Sequence, residues 1–203
     1  MARDNTFAQL SSKVRIALLL FAVFTVFINW RAKALEKRTL HEGEENRLMG
    51  KAAPPFSLTA LDGGTVSLAD YHGKKKLVVS FWASWCSPCR MELSVLQSLY
   101  KKSHKASSEF EIVAISTDDE KGPAEEFATQ EKISFPILLD SRHEAADAYE
   151  VTAIPYLLVV DPDGKVIYEQ HGFNPALEVL LKEKLGLRAE GAGEQAGDGQ
   201  PGH

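Results

Sequence analysis

Two cysteines occur in the 203 residues, Cys86 and Cys89, separated by Ser87 and Pro88. With no second pair in the chain they cannot begin a disulfide framework, so they are read as chemistry and not as a staple. Before them runs Leu77-Val78-Val79-Ser80-Phe81-Trp82, a short β-branched and aromatic stretch, and after them Leu93, Leu96, Leu99 and Tyr100 recur at helical spacing. A Cys-x-x-Cys at such a strand-to-helix junction sets its first sulfur against free backbone N–H groups and the positive end of the helix dipole, which favours the thiolate. Cys86 is therefore the expected nucleophile, and Cys89, one turn on, resolves the mixed disulfide that Cys86 forms. Pro88 suits the start of a helix, where its missing N–H costs nothing, and Trp82 and Trp85 are expected to make an apolar rim.

The same spacing is also half of a zinc site, which needs two further ligands. His41, His72, His104, His143, His171 and His203 are scattered without paired ligand spacing, so no metal and no other cofactor is expected. Two inert, buried cysteines are the other alternative, and the junction of strand and helix argues against it.

The elements that must hold this pair follow from periodicity. Phe56, Leu58 and Ala60 alternate with polar residues, Asp62-Gly63-Gly64 turns the chain, and Val66 and Leu68 resume the alternation, which predicts an N-terminal hairpin. The 77–82 run, with little alternation, is expected at the centre of a sheet covered on both faces. Strands at 111–116 and 137–139 alternate with a helix at 124–132, so the sheet is largely parallel. A short helix at 144–149, a strand at 156–160, the turn Asp161-Pro162-Asp163-Gly164 and a return strand at 165–169 add an antiparallel hairpin, making the sheet mixed. Pro175 opens an amphipathic helix to Leu185.

Both ends stand outside this α/β domain. Residues 16–30 are almost unbroken apolar, with Lys13 and Arg15 before and Arg31 and Lys33 after. As a helix they rise about 22 Å, short of the ~30 Å hydrocarbon layer, so a span requires snorkelling cations or local thinning. A retained anchor is favoured over a cleaved signal segment, because the Ala-x-Ala site after the run, Ala32-Lys33-Ala34, places cations where small neutral residues are expected. Basic residues on both sides leave the orientation undecided by charge. The expected organisation is an N-terminal stretch 1–15, a transmembrane anchor or signal segment 16–30, a polar linker 31–49, the folded domain 50–187 and a disordered, Gly-rich tail 188–203. The formal net charge of -5, with 25% charged residues, describes an ordinary soluble domain without a basic excess, which argues against a nucleic-acid partner.

The segment Phe81-Trp82-Ala83-Ser84-Trp85-Cys86-Ser87-Pro88-Cys89 resembles the active-site stretch of the thioredoxin superfamily. Further features resemble its membrane-tethered TlpA/ResA-like branch: Ala53-Pro54-Pro55-Phe56-Ser57-Leu58, Asp62-Gly63, Glu92 three places after Cys89, and Ile154-Pro155 ahead of a strand ending Val160-Asp161-Pro162-Asp163-Gly164. The likeness covers about residues 50–185. It implies a thioredoxin-like three-layer fold, a mixed sheet with helices on both faces and the N-terminal hairpin, preceded by a transmembrane helix. It also implies protein thiols and disulfides as substrates, a membrane protein as electron donor, and a catalytic domain outside the bacterial cytoplasmic membrane, in the periplasm or its equivalent, with residues 1–15 in the cytoplasm. A reductase role of the kind used in cytochrome c maturation follows from the same likeness.

The family's cis-proline falls on Pro155, ranked ahead of Pro136, and the backbone of Ile154 is then expected to pair with an extended substrate segment. Trp85, Pro88, Ile154 and Pro155 are the candidate substrate-binding residues. Many thioredoxins carry a buried Asp in the strand leading to the Cys pair, where this chain has Ser80. A hydroxyl cannot replace that base, so Glu92 becomes the candidate proton acceptor for Cys89, provided burial raises its pKa; the opposing expectation is a solvated carboxylate at a helix start. Ser94 stands where relatives often have a kinking proline. A peroxiredoxin is the nearest rival, but Ala83 occupies the position of its peroxidatic-loop hydroxyl; a non-catalytic peptide-binding module is the rival from another class.

Overall fold

The computed structural model describes residues 12–45, 47–103 and 109–187. The chain divides into two compact units, Met1–Arg47 and Leu48–His203. In the first, helix α1 spans Ser12–Glu45, passing through the stretch read as a linker. The large apolar side chains described between Val14 and Trp30 are all 43% to 69% exposed, Phe27 and Trp30 lying with ring centroids 6.4 Å apart. Among the described residues no helix is long and apolar enough to cross a membrane, and the structure therefore does not supply the span expected at 16–30. The expected tail at 188–203, and the polar stretch 104–108, lie outside the described residues.

The second unit is built on seven strands: β1 (Ser57–Ala60), β2 (Thr65–Ser67), β3 (Lys76–Trp82), β4 (Phe110–Ser116), β5 (Ile137–Leu139), β6 (Tyr156–Val160) and β7 (Val166–His171). Their order is β2-β1-β5-β4-β3-β6-β7. β3, β4 and β5 are parallel, while β1–β2, β1–β5, β3–β6 and β6–β7 are antiparallel, so the sheet is mixed as expected but not largely parallel, because both hairpins join the parallel core through antiparallel edges. β3 lies between β4 and β6 and is buried almost throughout. The helices are α2 (Ser87–Ser103), α3 (Lys121–Gln130), α4 (Glu144–Ala148) and α5 (Leu177–Leu185).

Because side chains alternate along a strand, the sheet divides its apolar residues between two cores. Val78 and Trp82 of β3, Ile112 and Ala114 of β4 and Leu157 of β6 pack with Leu93, Leu96 and Leu99 of α2, Phe127 of α3 and Leu181 of α5. On the opposite face Val79, Phe81, Val113 and Leu158 pack with Ala145 and Ala146 of α4, and with Tyr149 and Phe56. Helices cover both faces, as a three-layer fold requires. Each fully buried large side chain contributes about 1.5–3 kcal/mol.

Two helix starts differ from the sequence reading. α3 begins at Lys121, three residues before Ala124, because Pro123 is accommodated in the first turn. α5 begins at Leu177 and not at Pro175: the Asn174 carboxamide accepts the Ala176 N–H at 2.9 Å, holding 174–176 in a local turn. In the 161–164 turn Gly164 adopts φ 82°, a conformation that a side chain would strain, and a Cβ there would meet the His72 ring at 3.5 Å.

The lead-in to the domain is stitched to β7. The Leu48 and Met49 N–H groups both donate to Glu169 Oε2 at 3.0 Å, and Gly50 N and Val166 N bond across to Val166 O and Lys51 O. Further along, buried Tyr149 lies against the Phe81 ring with centroids 5.2 Å apart and donates its hydroxyl to Pro54 O at 2.7 Å. Tyr149→Phe is expected to cost about 1 kcal/mol, seen as a lower denaturant midpoint at unchanged slope.

Candidate active site

β3 ends at Trp82 and α2 begins at Ser87, so the four-residue 83–86 loop delivers Cys86 to the helix mouth. Within it the Cys86 N–H donates to Ala83 O at 3.1 Å. Cys86 occupies the residue before α2, and its Sγ accepts the Cys89 N–H at 3.2 Å, as a capping oxygen would. The sulfur thus sits where the first-turn N–H groups and the helix dipole both stabilise negative charge. Cys86 and Cys89 are joined by a disulfide, with Cα atoms 5.2 Å apart. Cys86 keeps 6% of its surface open and Cys89 none, so only the first sulfur is approachable.

The Ile154–Pro155 peptide is cis, and Ile154 O lies 3.9 Å from Cys86 Sγ. The structure therefore brings the residues just before β6, distant in sequence, against the sulfur pair. Pro155 is buried and Ile154 half-buried. Pro136, the second candidate, has a trans bond. Around the sulfur Trp85 is 74% exposed, Ser87 and Pro88 are exposed, and Met91 adds a further exposed apolar side chain on α2.

Trp82 does not join this rim. It is fully buried against Phe127, ring centroids 5.1 Å apart, because it shares a β3 face with Val78 and points into the core beneath α2. Of the two tryptophans flanking the loop, only Trp85 is presented to solvent.

Glu92 lies on α2 one turn past Cys89 and is fully buried, which overturns the picture of a solvated carboxylate. Ser80 donates its hydroxyl to Glu92 Oε1 at 2.7 Å, while Oε2 has no hydrogen-bond partner among the described residues. Burial pushes the Glu92 carboxyl up to about 7, with the Ser80 hydroxyl pulling the other way. Tyr168, which packs against the same core, has its phenol raised by burial and further by the Glu92 charge. Ser94 donates to Arg90 O at 3.0 Å, and α2 continues through it. Among the described residues no cluster of His, Cys, Asp or Glu could hold a metal ion.

Asp118, just beyond β4, is a site residue that no motif or spacing announces. Its buried carboxylate accepts the Ser84 N–H at 3.0 and 3.2 Å, the Ser84 hydroxyl at 2.8 Å and the Ser116 hydroxyl at 2.8 Å, tying the loop before Cys86 to the end of β4. No local pattern marks a pair 34 residues apart.

The chain is similar to known proteins. The family model described as the AhpC/TSA family matches residues 49–169. The thiol-disulfide oxidoreductase ResA of Bacillus thuringiensis subsp. konkukian is 34% identical over 171 residues, which span 81% of this chain and 95% of that protein. ResA of Bacillus subtilis is 34% identical over 125 residues, 62% of this chain and 68% of the relative. Among solved structures, a putative thiol:disulfide interchange protein DsbE from Chlorobium tepidum superposes with a TM-score of 0.61 at 32% identity, covering 67% of this chain and 94% of its own. StoA from Bacillus subtilis gives a TM-score of 0.56 at 30% identity, covering 65% and 97%. With its sulfur pair at the mouth of a helix on a thioredoxin-like sheet, the chain belongs to the AhpC/TSA family, as a thiol-disulfide oxidoreductase of the ResA type.

Proposed function

We propose that the reduced protein donates electrons to disulfides of other proteins outside the cytoplasmic membrane, with Cys86 as nucleophile, Cys89 as resolving thiol and Glu92 as the group that takes the Cys89 proton. The observation that carries this reading is the Cys86 sulfur capping α2, approachable from solvent, beside Ile154 and Pro155, with Cys89 closed off behind it.

In the first step the Cys86 thiolate attacks one sulfur of a substrate disulfide, forming a Cys86–substrate bond and releasing one substrate thiolate. Cys89 then loses its proton to Glu92, and its thiolate attacks Cys86 Sγ. The mixed disulfide breaks, the second substrate thiolate leaves, and the Cys86–Cys89 disulfide forms. Two electrons pass from the protein to the substrate. Glu92 suits the proton transfer because burial holds its pKa near neutrality, where it is able both to accept and to return a proton. Trp85 and Pro88 offer apolar contact to the substrate, and the backbone beside Pro155 offers hydrogen bonds that any extended segment satisfies.

The exposed apolar side chains within 16–30 support a membrane tether, and the likeness to TlpA/ResA-like proteins supports a catalytic unit on the outer side, cytochrome c precursors as substrates and a membrane protein as the source of electrons. Trapping tests the central claim. A Cys89→Ala variant lacks the resolving thiol and is expected to accumulate covalent adducts with substrate proteins that dithiothreitol releases. Adducts that also form when Cys86 is replaced, or none in either variant, contradict the assigned roles.

A further inference from the structure

Resting on the exchange reaction just described, we infer that Asp118 is a positioning residue for it, holding through Ser84 the loop that sets the Cys86 sulfur at the mouth of α2. Asp118 stands two residues past β4 and is 5% exposed. Among the described residues every donor its carboxylate receives is neutral: the Ser84 N–H shared between both oxygens, the Ser84 hydroxyl and the Ser116 hydroxyl. A carboxylate buried without a cation is an expensive way to close a loop, since a neutral acceptor would satisfy the same donors at lower desolvation cost. What it adds is strength and direction, because hydrogen bonds to an ionised acceptor are about twice as strong as neutral ones.

The grip is aimed at the reacting sulfur. Ser84 lies two residues before Cys86, inside the turn closed by the Cys86 N–H on Ala83 O. A second fastening comes from Thr117, whose N–H and hydroxyl both donate to Trp82 O, at 2.9 and 3.1 Å. On the far side of the carboxylate, the Asp118 N–H donates to Ser116 Oγ at 3.1 Å, so the acceptor is itself held by β4. β4 pairs in parallel with β3 up to Trp82 opposite Ser116. The loop is thus braced across the two central strands at the level where β3 hands over to α2. Without the brace, residues 83–86 are free to move the sulfur off the Cys89 N–H, 3.2 Å away, and the helix mouth then stabilises the thiolate less.

The test uses the full-length reduced protein and two readouts: the Cys86 thiolate titration, followed by ultraviolet absorbance against pH, and the second-order rate of insulin disulfide reduction. The titration needs no natural substrate, so it judges the brace even if the proposed physiological reaction is wrong; a parent protein that titrates normally but reduces no disulfide counts against that reaction alone. Asp118→Ala is expected to lower the acid dissociation constant of Cys86 by about tenfold and the rate by a similar factor. Asp118→Asn keeps one oxygen for Ser84 but forgoes the charge-assisted strength, and is expected to fall between the parent and the Ala variant, within about threefold to fivefold of the parent, in both. Ser84→Ala, which leaves the carboxylate in place and removes only one link, is expected to shift both readouts in the same direction by a smaller factor, and it serves if Asp118→Ala does not fold. Parent-like titration in Asp118→Ala, or in Ser84→Ala should the former not fold, overturns the inference. So does an Asn variant as impaired as the Ala variant, which would assign the effect to charge and not to position.

Discussion

Replacing Cys86 with Ser is expected to reduce protein-disulfide turnover on the order of a thousandfold or more, to the uncatalysed background, while leaving the fold in place. A serine hydroxyl at the mouth of α2 feels the same dipole and the same Cys89 N–H, but its pKa lies far above that of a thiol and it cannot enter a disulfide. The substitution is nearly isosteric at a site only 6% exposed, so packing changes little. What is lost from the oxidised state is the four-residue loop constraint, worth about 2 kcal/mol by chain entropy. A melt therefore shows a modestly less stable, cooperative domain, and an insulin-reduction assay shows no activity above buffer. Residual turnover above a hundredth of the parent's would place the attacking thiol elsewhere, and the chain has only Cys89 to offer.

Glu92→Gln is expected to separate stability from turnover. The folded carboxyl titrates at about 7 against an ordinary 4.5, raised chiefly by burial. The folded state therefore holds its proton more tightly than the unfolded chain, so the stability is full below about 4.5, declines as pH rises and levels off once pH has passed through 7. The loss amounts to about 3 kcal/mol at 1.36 kcal/mol per pKa unit. Glutamine has nearly the same shape, keeps an oxygen for the Ser80 hydroxyl and never ionises. Denaturation at pH 8 should find Glu92→Gln more stable than the parent by up to about 3 kcal/mol, with the difference vanishing near pH 4.5. Resolution of the mixed disulfide should move the other way: in the parent its rate climbs as pH passes through 7, and in the variant that step is slower by about ten- to a hundredfold with the rise near 7 gone. Equal rates across the range would deny Glu92 any part in proton transfer, whatever its effect on stability.

The Ser80–Glu92 contact behind this prediction also shows where sequence reading stops. Period-two alternation makes Val78, Ser80 and Trp82 share one face of β3, and the apolar spacing of α2 shows which side of the helix is buried. Each pattern is local, and each is visible in the text of the chain. That α2 crosses β3 in the register that sets Glu92 on Ser80 is a tertiary fact, and no spacing of 12 residues announces it. The same limit explains Trp82: an aromatic flanking the Cys pair reads as rim or as core until the strand's facing is known, and the facing puts it in the core. Asp118 was invisible because its partners come from a loop 34 residues earlier and from its own strand end. Strands and the Cys-pair helix were legible because burial on one or both faces imposes periodicity; the starts of α3 and α5 were not, because prolines near a helix start fit either inside the first turn or just before it.

The grip of Glu169 on Leu48 and Met49 bears on how the chain tolerates shortening. Leu48 is buried with its N–H on a carboxylate whose side chain is 1% exposed, so from the Arg47–Leu48 bond onward the backbone is held by the second unit's own sheet. A proteolytic cut there would spare all seven strands and both sulfurs. It would also create an ammonium at Leu48 facing Glu169, adding an ion pair to a hydrogen bond that the carboxylate already makes. A catalytic fragment released in this way would carry its own new fastening, and severing the N-terminal helix need not silence the chemistry.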